Sequence, residues 1–151
     1  MKKMIDLIEA FGGLASRGEL QRRGIDPGLI TLAARSGRHI IRVRKGWYAL
    51  ATEEREIVRA WRVGGRLSCV SSIALFEGVE MPVLHVEVPA NTARLRDPDH
   101  PWRALSPDAP VLVHWTRHPG PGDRRSVYLE HALDVAEACG AHSAGVVRER
   151  V

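Results

Sequence analysis

The chain has 151 residues, with 22 Lys and Arg against 18 Asp and Glu and a net charge of +4 at pH 7, and its pI is near 9.6. That length holds one domain or two small ones with a real core, and a pI above roughly 9 is a cue for nucleic acid. No run is long and apolar enough to span a membrane, and the two cysteines, Cys69 and Cys139, exclude a disulfide framework and read as buried small hydrophobes in a reducing compartment.

Met4, Leu7, Ile8 and Phe11 recur at helical spacing and predict a short amphipathic helix over residues 3–11. Asp6 and Glu9 interrupt the apolar run, which excludes a signal peptide despite the early lysines. The expected location is cytoplasmic. Ser16-Arg17-Gly18-Glu19 is a capping box, in which the Ser16 side chain and the Glu19 side chain each satisfy an orphan amide of the helix start. That helix ends near Gly24, with Ile25 as a buried plug in the turn. Asp26 and Pro27 open a second helix, one as cap and one as a first residue that needs no donor. Leu29, Ile30 and Ala33 or Ala34 supply its inward stripe, leaving Gly28, Thr31, Arg35 and Arg38 largely off it, and Gly37 stops it. Two helices joined by a short turn form a helix-turn-helix unit, whose second helix enters the major groove.

The period then changes. Ile41 and Val43 alternate with Arg42 and Arg44, Arg44-Lys45-Gly46 turns, and Trp47-Tyr48-Ala49-Leu50 returns as a second strand. A hairpin with a cationic tip directly after a recognition helix has the layout of a wing. The fold class expected is α+β, with an N-terminal winged helix-turn-helix DNA-binding domain over residues 1–66 and a small α/β domain over residues 67–151.

Thr52 is the expected cap of the next helix, with Glu53 and Glu54 in its first turn, Ile57, Val58 and Trp61 on its apolar side, and Gly64-Gly65 as its stop. Arg55, Arg59, Arg62 and Arg66 line one side, as a solvated face or as contacts to a DNA backbone. Residues 83–89 and 111–116 read as strands. Between them, Pro98, Pro101, Pro107 and Pro110 mark a long loop, expected to be pinned to the body by Trp102. Pro119-Gly120-Pro121-Gly122-Asp123 is a turn. Residues 127–139 form a final helix with Leu129, Leu133, Val135 or Ala136, and Cys139 inward, and the tail from Gly140 is expected to fray. Charge divides along the same boundary: residues 1–66 carry a net +7 and residues 67–151 a net −3.

Catalytic patterns are absent. The only lysines are Lys2, Lys3 and Lys45, so the second half has no acid-x-Lys element for nuclease chemistry, and no glycine-rich loop follows a strand to hold a nucleotide. His114 and His118 have metal-compatible spacing, followed by His131, Cys139 and His142. Zinc needs nitrogen and sulfur ligands converging tetrahedrally. One of these histidines ends a strand, another precedes a Pro-Gly turn, and Cys139 lies on an apolar helical face. They read as ordinary surface and half-buried groups, so the expectation is no enzyme, no catalytic residue, no cofactor and no metal.

Gly12-Gly13-Leu14-Ala15-Ser16-Arg17, Glu19-Leu20, Gly24-Ile25-Asp26, Ser36-Gly37-Arg38 and Arg42 to Leu50 together resemble the N-terminal winged helix of AbiEi-type antitoxins, the transcription-regulating half of type IV toxin–antitoxin systems. The same winged helix fronts actinobacterial proteins with a domain related to very-short-patch repair nucleases. Leu67 to Val79, His85 to Pro89 and Val111 to His114 are similar to elements of the family's second domain. Relatives usually carry a longer C-terminal part, so this one is expected to be truncated, and Ser71-Ser72 stand where relatives often hold a His-Arg pair. The resemblance implies a sequence-specific double-stranded DNA-binding regulator, an autorepressor of an antitoxin or phage-defence operon, with a cognate toxin protein and a second copy of the chain as further partners. On this reading the helix from Pro27 to Ser36 enters the major groove. Thr31 and Arg35 read bases, Arg17 and Arg38 clamp phosphate, and Arg42, Arg44 and Lys45 touch the backbone or minor groove, with Ser16, Pro27 and Gly28 completing the surface. Two alternatives are an antitoxin that masks a nucleotidyltransferase toxin through its acidic second half, with the 90–110 loop as contact surface, and a nuclease-fusion remnant without catalysis.

Overall fold

A computed structural model describes residues 1–140 as an α+β protein of six helices and two three-stranded sheets. In chain order these are α1 (Lys2–Ala10), β1 (Leu14–Ser16), α2 (Arg17–Arg22), α3 (Pro27–Ser36), β2 (Ile40–Arg44), β3 (Trp47–Leu50), α4 (Arg55–Val63), β4 (Arg66–Leu67), α5 (Cys69–Glu77), β5 (Leu84–Pro89), β6 (Val111–Thr116) and α6 (Leu129–Cys139). The expectations for the tail beyond Gly140 and for His142 lie outside the described residues.

The first sheet has the order β1-β3-β2, antiparallel throughout. Its β1 strand has no counterpart in the sequence reading, because three residues are too few to show a period. Both faces of the sheet are covered. Ala15, Ile40 and Tyr48 pack with Met4, Ile8, Leu20, Ile30 and Ala33 of α1, α2 and α3 and with Ile25 in the turn between α2 and α3. Leu14, Val43 and Ala49 pack on the other side with Ile57, Val58, Ala60 and Val63 of α4. That second cluster continues into Leu67, Leu84, Val86 and Val88 of the other sheet. One apolar core therefore runs across the boundary at residues 66/67, at roughly 1.5–3 kcal/mol for each fully buried aliphatic side chain.

The second sheet has the order β4-β5-β6, with β4 antiparallel and β6 parallel to β5. Strand β5 is buried on both faces. Leu84, Val86 and Val88 enter the shared core, while His85 and Glu87 alternate to the opposite side, where α5 and α6 pack as neighbours. Gly65 permits the approach of α4 to this sheet, since a Cβ there would overlap the Glu87 carbonyl. Cys69, the first residue of α5, has φ 56° and is the only non-glycine residue with positive φ among the described residues, a conformation that costs on the order of 1–3 kcal/mol.

Polar contacts lock the two halves together. Arg124 donates to both carboxylate oxygens of Glu19 and to the Leu14 carbonyl at 2.9 Å. Its guanidinium also lies 5.3 Å from the Phe11 ring and 5.6 Å from the Trp47 ring. Glu19 is the same residue that closes the capping box on Ser16, so one carboxylate serves the helix cap and the inter-sheet tie. The Arg124 hydrogen bonds hold the Glu19 carboxyl down at about 2. Arg125 donates to Glu53 at 2.7 Å, and Trp61 Nε1 donates to the Arg124 carbonyl at 2.6 Å.

Three sequence expectations are corrected here. The cap of α4 is Glu54, not Thr52, and Glu53 is drawn away to Arg125. Trp102 does not pin the 90–110 loop, being 70% exposed; Leu95 and Leu105 do so by packing against the core, with Asp99 held by Arg59 at 2.9 Å. In α6 the buried stripe is Ala132, Ala136 and Cys139, and Leu133 is 50% exposed, because the helix phase is set by its small residues against α5. The arginine row of α4 is mixed: Arg55 is exposed, Arg59 pairs with Glu56 and Asp99, Arg62 meets the Val43 carbonyl, and Arg66, just past the helix, pairs with Glu87.

Candidate nucleic-acid interface

The cap of α3 orients its outer face. Asp26 Oδ2 accepts from the Leu29 amide at 3.2 Å, Pro27 occupies the first turn, and Gly37 closes the helix with φ 66°. A Cβ at Gly28 would meet Asp26 Oδ2 at 2.9 Å, so glycine leaves the cap undisturbed. With Ile30 and Ala33 turned into the core, Thr31, Leu32, Arg35 and Ser36 are exposed, and Arg38 is exposed just past the helix end. Leu32 was not singled out by its sequence, although it is an apolar side chain suited to contact with a base methyl group.

Ser16 and Arg17 have internal work. Ser16 is half-buried and its hydroxyl accepts from the Glu19 amide at 3.1 Å. Arg17 donates to the Tyr48 hydroxyl at 3.0 Å, the Pro27 carbonyl at 3.0 Å and Thr31 Oγ1 at 2.9 Å. It thereby braces α2, α3 and the first sheet together. A guanidinium has five N–H donors, so two remain for another acceptor.

The β2–β3 hairpin is irregular. Its register shifts between Arg42, opposite Tyr48, and Arg44, opposite Trp47. The bulge buries Val43 and leaves Arg42 and Lys45 exposed. Arg44 is half-buried with its guanidinium 5.7 Å from the Trp61 ring. Arg62, on α4, donates to the Val43 carbonyl at 3.3 Å. Burial lowers the pKa of both Arg44 and Arg62. Neither forms an ion pair among the described residues, so each is a cation stripped of part of its water, Arg62 with only the more distant Asp99 as counter-charge.

These side chains line a cleft of about 840 Å³ between the hairpin, α4 and the 90–110 loop. Arg42, Arg44, Lys45 and Arg62 form one wall, Arg94 and Arg96 the other, with Trp47 and Trp102 as aromatic surfaces. Among the described residues the single acid lining it, Asp99, is already held by Arg59. Arg94 and Arg96 were missed in the sequence because nothing in an aperiodic loop announces that it folds back beside the hairpin. Thus Arg42, Arg44 and Lys45 come together, and Thr31, Arg35 and Arg38 lie on or just beyond α3, outside the cleft.

A second constellation lies on the far side of the second sheet. The ligand atoms of Cys69, His85, His114 and Cys139 fall within 4.8 Å of one another. His85 and His114 occupy the same face of adjacent parallel strands, Cys69 starts α5 and Cys139 ends α6. His85 Nδ1 lies 2.9 Å from His114 Nε2, and His85 Nε2 is buried with no partner among the described residues. Burial, reinforced by the nearby Cys139 sulfur, pushes the Cys69 thiol up to about 12. Of the residues weighed as ligands in the sequence, His114 and Cys139 belong to this cluster; His118 is exposed and His131 rests against Gly120. His85 read only as a strand residue and Cys69 only as a small hydrophobe, and both join it.

No family model matches the chain, and no match is found among curated proteins.

Proposed function

We propose that the chain is a double-stranded DNA-binding transcriptional regulator whose residues 1–66 work as a winged helix-turn-helix, with an antitoxin-like autorepressor as its biological form. The observation that carries this reading is the cleft: six arginines and lysines and two tryptophans, with one acid that is already neutralised. A phosphodiester entering it gives Arg44 and Arg62 the ion-pair partner that neither has among the described residues, and each neutralised phosphate releases condensed counterions.

On this reading α3 lies in the major groove. Thr31, Leu32 and Arg35 face base edges, and Arg38 and the two spare donors of Arg17 meet phosphates at its flanks. The hairpin is the wing, with Arg42, Arg44 and Lys45 directed at the backbone, and Arg94 and Arg96 extend its grip from the second half. A toxin-masking role for the 90–110 loop is the weaker alternative, because the face this loop turns toward the hairpin is cationic, and an acidic contact surface was its premise.

The test is binding of the purified full chain to duplexes from its own upstream region and to scrambled duplexes, at two salt concentrations. Preference for the upstream duplex, weakening with salt, supports a repressor. Equal weak affinity for both leaves electrostatics alone and sinks the regulator reading.

A further inference from the structure

We propose that Cys69, His85, His114 and Cys139 form a structural zinc site that ties α5 and α6 to the parallel strands β5 and β6. The donor set is two thiols and two imidazoles, the composition that suits tetrahedral zinc. Their ligand atoms already converge within 4.8 Å from four separate elements. A tetrahedral ion with Zn–S of about 2.3 Å and Zn–N of about 2.0–2.1 Å holds its ligand atoms roughly 3.3–3.8 Å apart. Loading it asks for side-chain adjustments of about 1 Å and a slight opening of the ring-to-ring contact.

An ordinary core histidine satisfies both ring nitrogens. His85 does not: one nitrogen meets only another imidazole, and the other meets nothing among the described residues. Only one proton can lie between the two facing nitrogens, and a metal ion replaces it with a partner for both. Cys69 is held in a left-handed conformation at the start of a helix, and Cys139 is buried at the end of the next one. The buried cluster here is small, Cys69, Val70, Ala136 and Cys139 with Ile73, Met81, Leu112 and Val135 partly buried against it, so a metal would add to a modest apolar anchor for α5 and α6. As zinc enters it sheds its waters, both thiols lose their protons to solvent, the proton between the facing imidazoles moves to the far nitrogen of its own ring, and two Zn–S and two Zn–N bonds form. Four protein ligands leave no open coordination position, which makes the site structural and not catalytic.

The test is metal content and reloading of the full chain, purified and kept under reducing conditions. Expected are one zinc per chain, removal by a strong chelator with a fall in melting temperature of about 5–10 °C, and reloading with cobalt that yields thiolate-to-cobalt charge transfer and the visible bands of tetrahedral Co(II). Cys139→Ser weakens uptake by more than about 100-fold, since losing an outer-shell partner alone costs about 10–100-fold. His118→Ala and His131→Ala leave stoichiometry unchanged. Should Cys139→Ser not fold, the cobalt spectrum and stoichiometry of the unaltered chain decide by themselves. Absence of uptake by the folded chain, full uptake by folded Cys139→Ser, or a Cys69–Cys139 disulfide in protein isolated without oxidant overturns the site.

Discussion

Two populations stand out among the arginines of this protein. Arg59, Arg66, Arg124 and Arg125 each meet a carboxylate, and they hold the 90–110 loop, the second sheet and the two halves in place. Arg35, Arg38, Arg42, Arg44, Arg62, Arg94 and Arg96 meet none among the described residues, and most of them gather around the hairpin and its cleft. Net charge does not separate these populations; pairing does. A paired arginine acts on the fold, and an unpaired one is available to an anion, except that Arg17 spends three of its donors bracing α2, α3 and the first sheet.

The sharpest way to break that comparison is to exchange the roles. Arg124→Ala removes the bidentate contact to Glu19, the bond to the Leu14 carbonyl and the cover over two aromatic rings, and leaves Glu19 half-buried and uncompensated. Urea denaturation should record a loss of about 2–4 kcal/mol, discounted from the fully buried case for the partial exposure of the pair. DNA affinity measured well below the melting temperature should be unchanged. A large affinity loss in the folded variant would erase the distinction.

The converse experiment is the combined variant Arg42→Ala, Lys45→Ala, Arg94→Ala and Arg96→Ala. Stability should move by less than about 0.5 kcal/mol per site. The slope of log affinity against log salt should become shallower by about 3–4 units. An unchanged slope would remove the cleft from the interface. Arg94 and Arg96 carry most of the information, because they belong to the second half, which by net charge alone should repel DNA.

Arg35→Ala probes the other part of the surface. It should cost about 1–3 kcal/mol on the preferred duplex and close to nothing on scrambled DNA. Equal losses on both would make Arg35 a phosphate contact.

The smallest effect concerns pH. The Glu19 carboxyl is held down to about 2 in the folded chain, against an ordinary value of 4.5, chiefly by its hydrogen bonds from Arg124. A depressed pKa contributes stability that is fully present above about 4.5 and is lost as pH falls toward 2. The stability difference between the unaltered chain and Glu19→Gln should thus be constant near neutrality and shrink between those two values. A difference that persists unchanged at the acid end would show that the Arg124 contact does not depend on the carboxylate charge.

What the sequence revealed follows the range of the interactions involved. The capping box of Ser16 and Glu19, the Asp26-Pro27 start and the Gly37 stop are local devices, and each forms as read. The strands at 84–89 and 111–116 were legible from runs of β-branched and apolar residues. Long-range pairing was hidden. Glu53 and Glu54 looked like first-turn acids behind a Thr52 cap until Arg125 claimed Glu53 from far along the chain. Arg94 and Arg96 joined the hairpin through the fold of an aperiodic loop. The Cys69, His85, His114 and Cys139 cluster shows no short ligand spacing at all, because its members come from two helix ends and two strands.

The measurement that bears most directly on the central claim is the salt-dependent affinity of the full chain for its own upstream duplex, set beside that of the four-site cleft variant. The account predicts selective binding by the unaltered chain that falls steeply with salt, and a shallower slope for the variant with the fold intact. Superimposable salt dependences for the two proteins would contradict it.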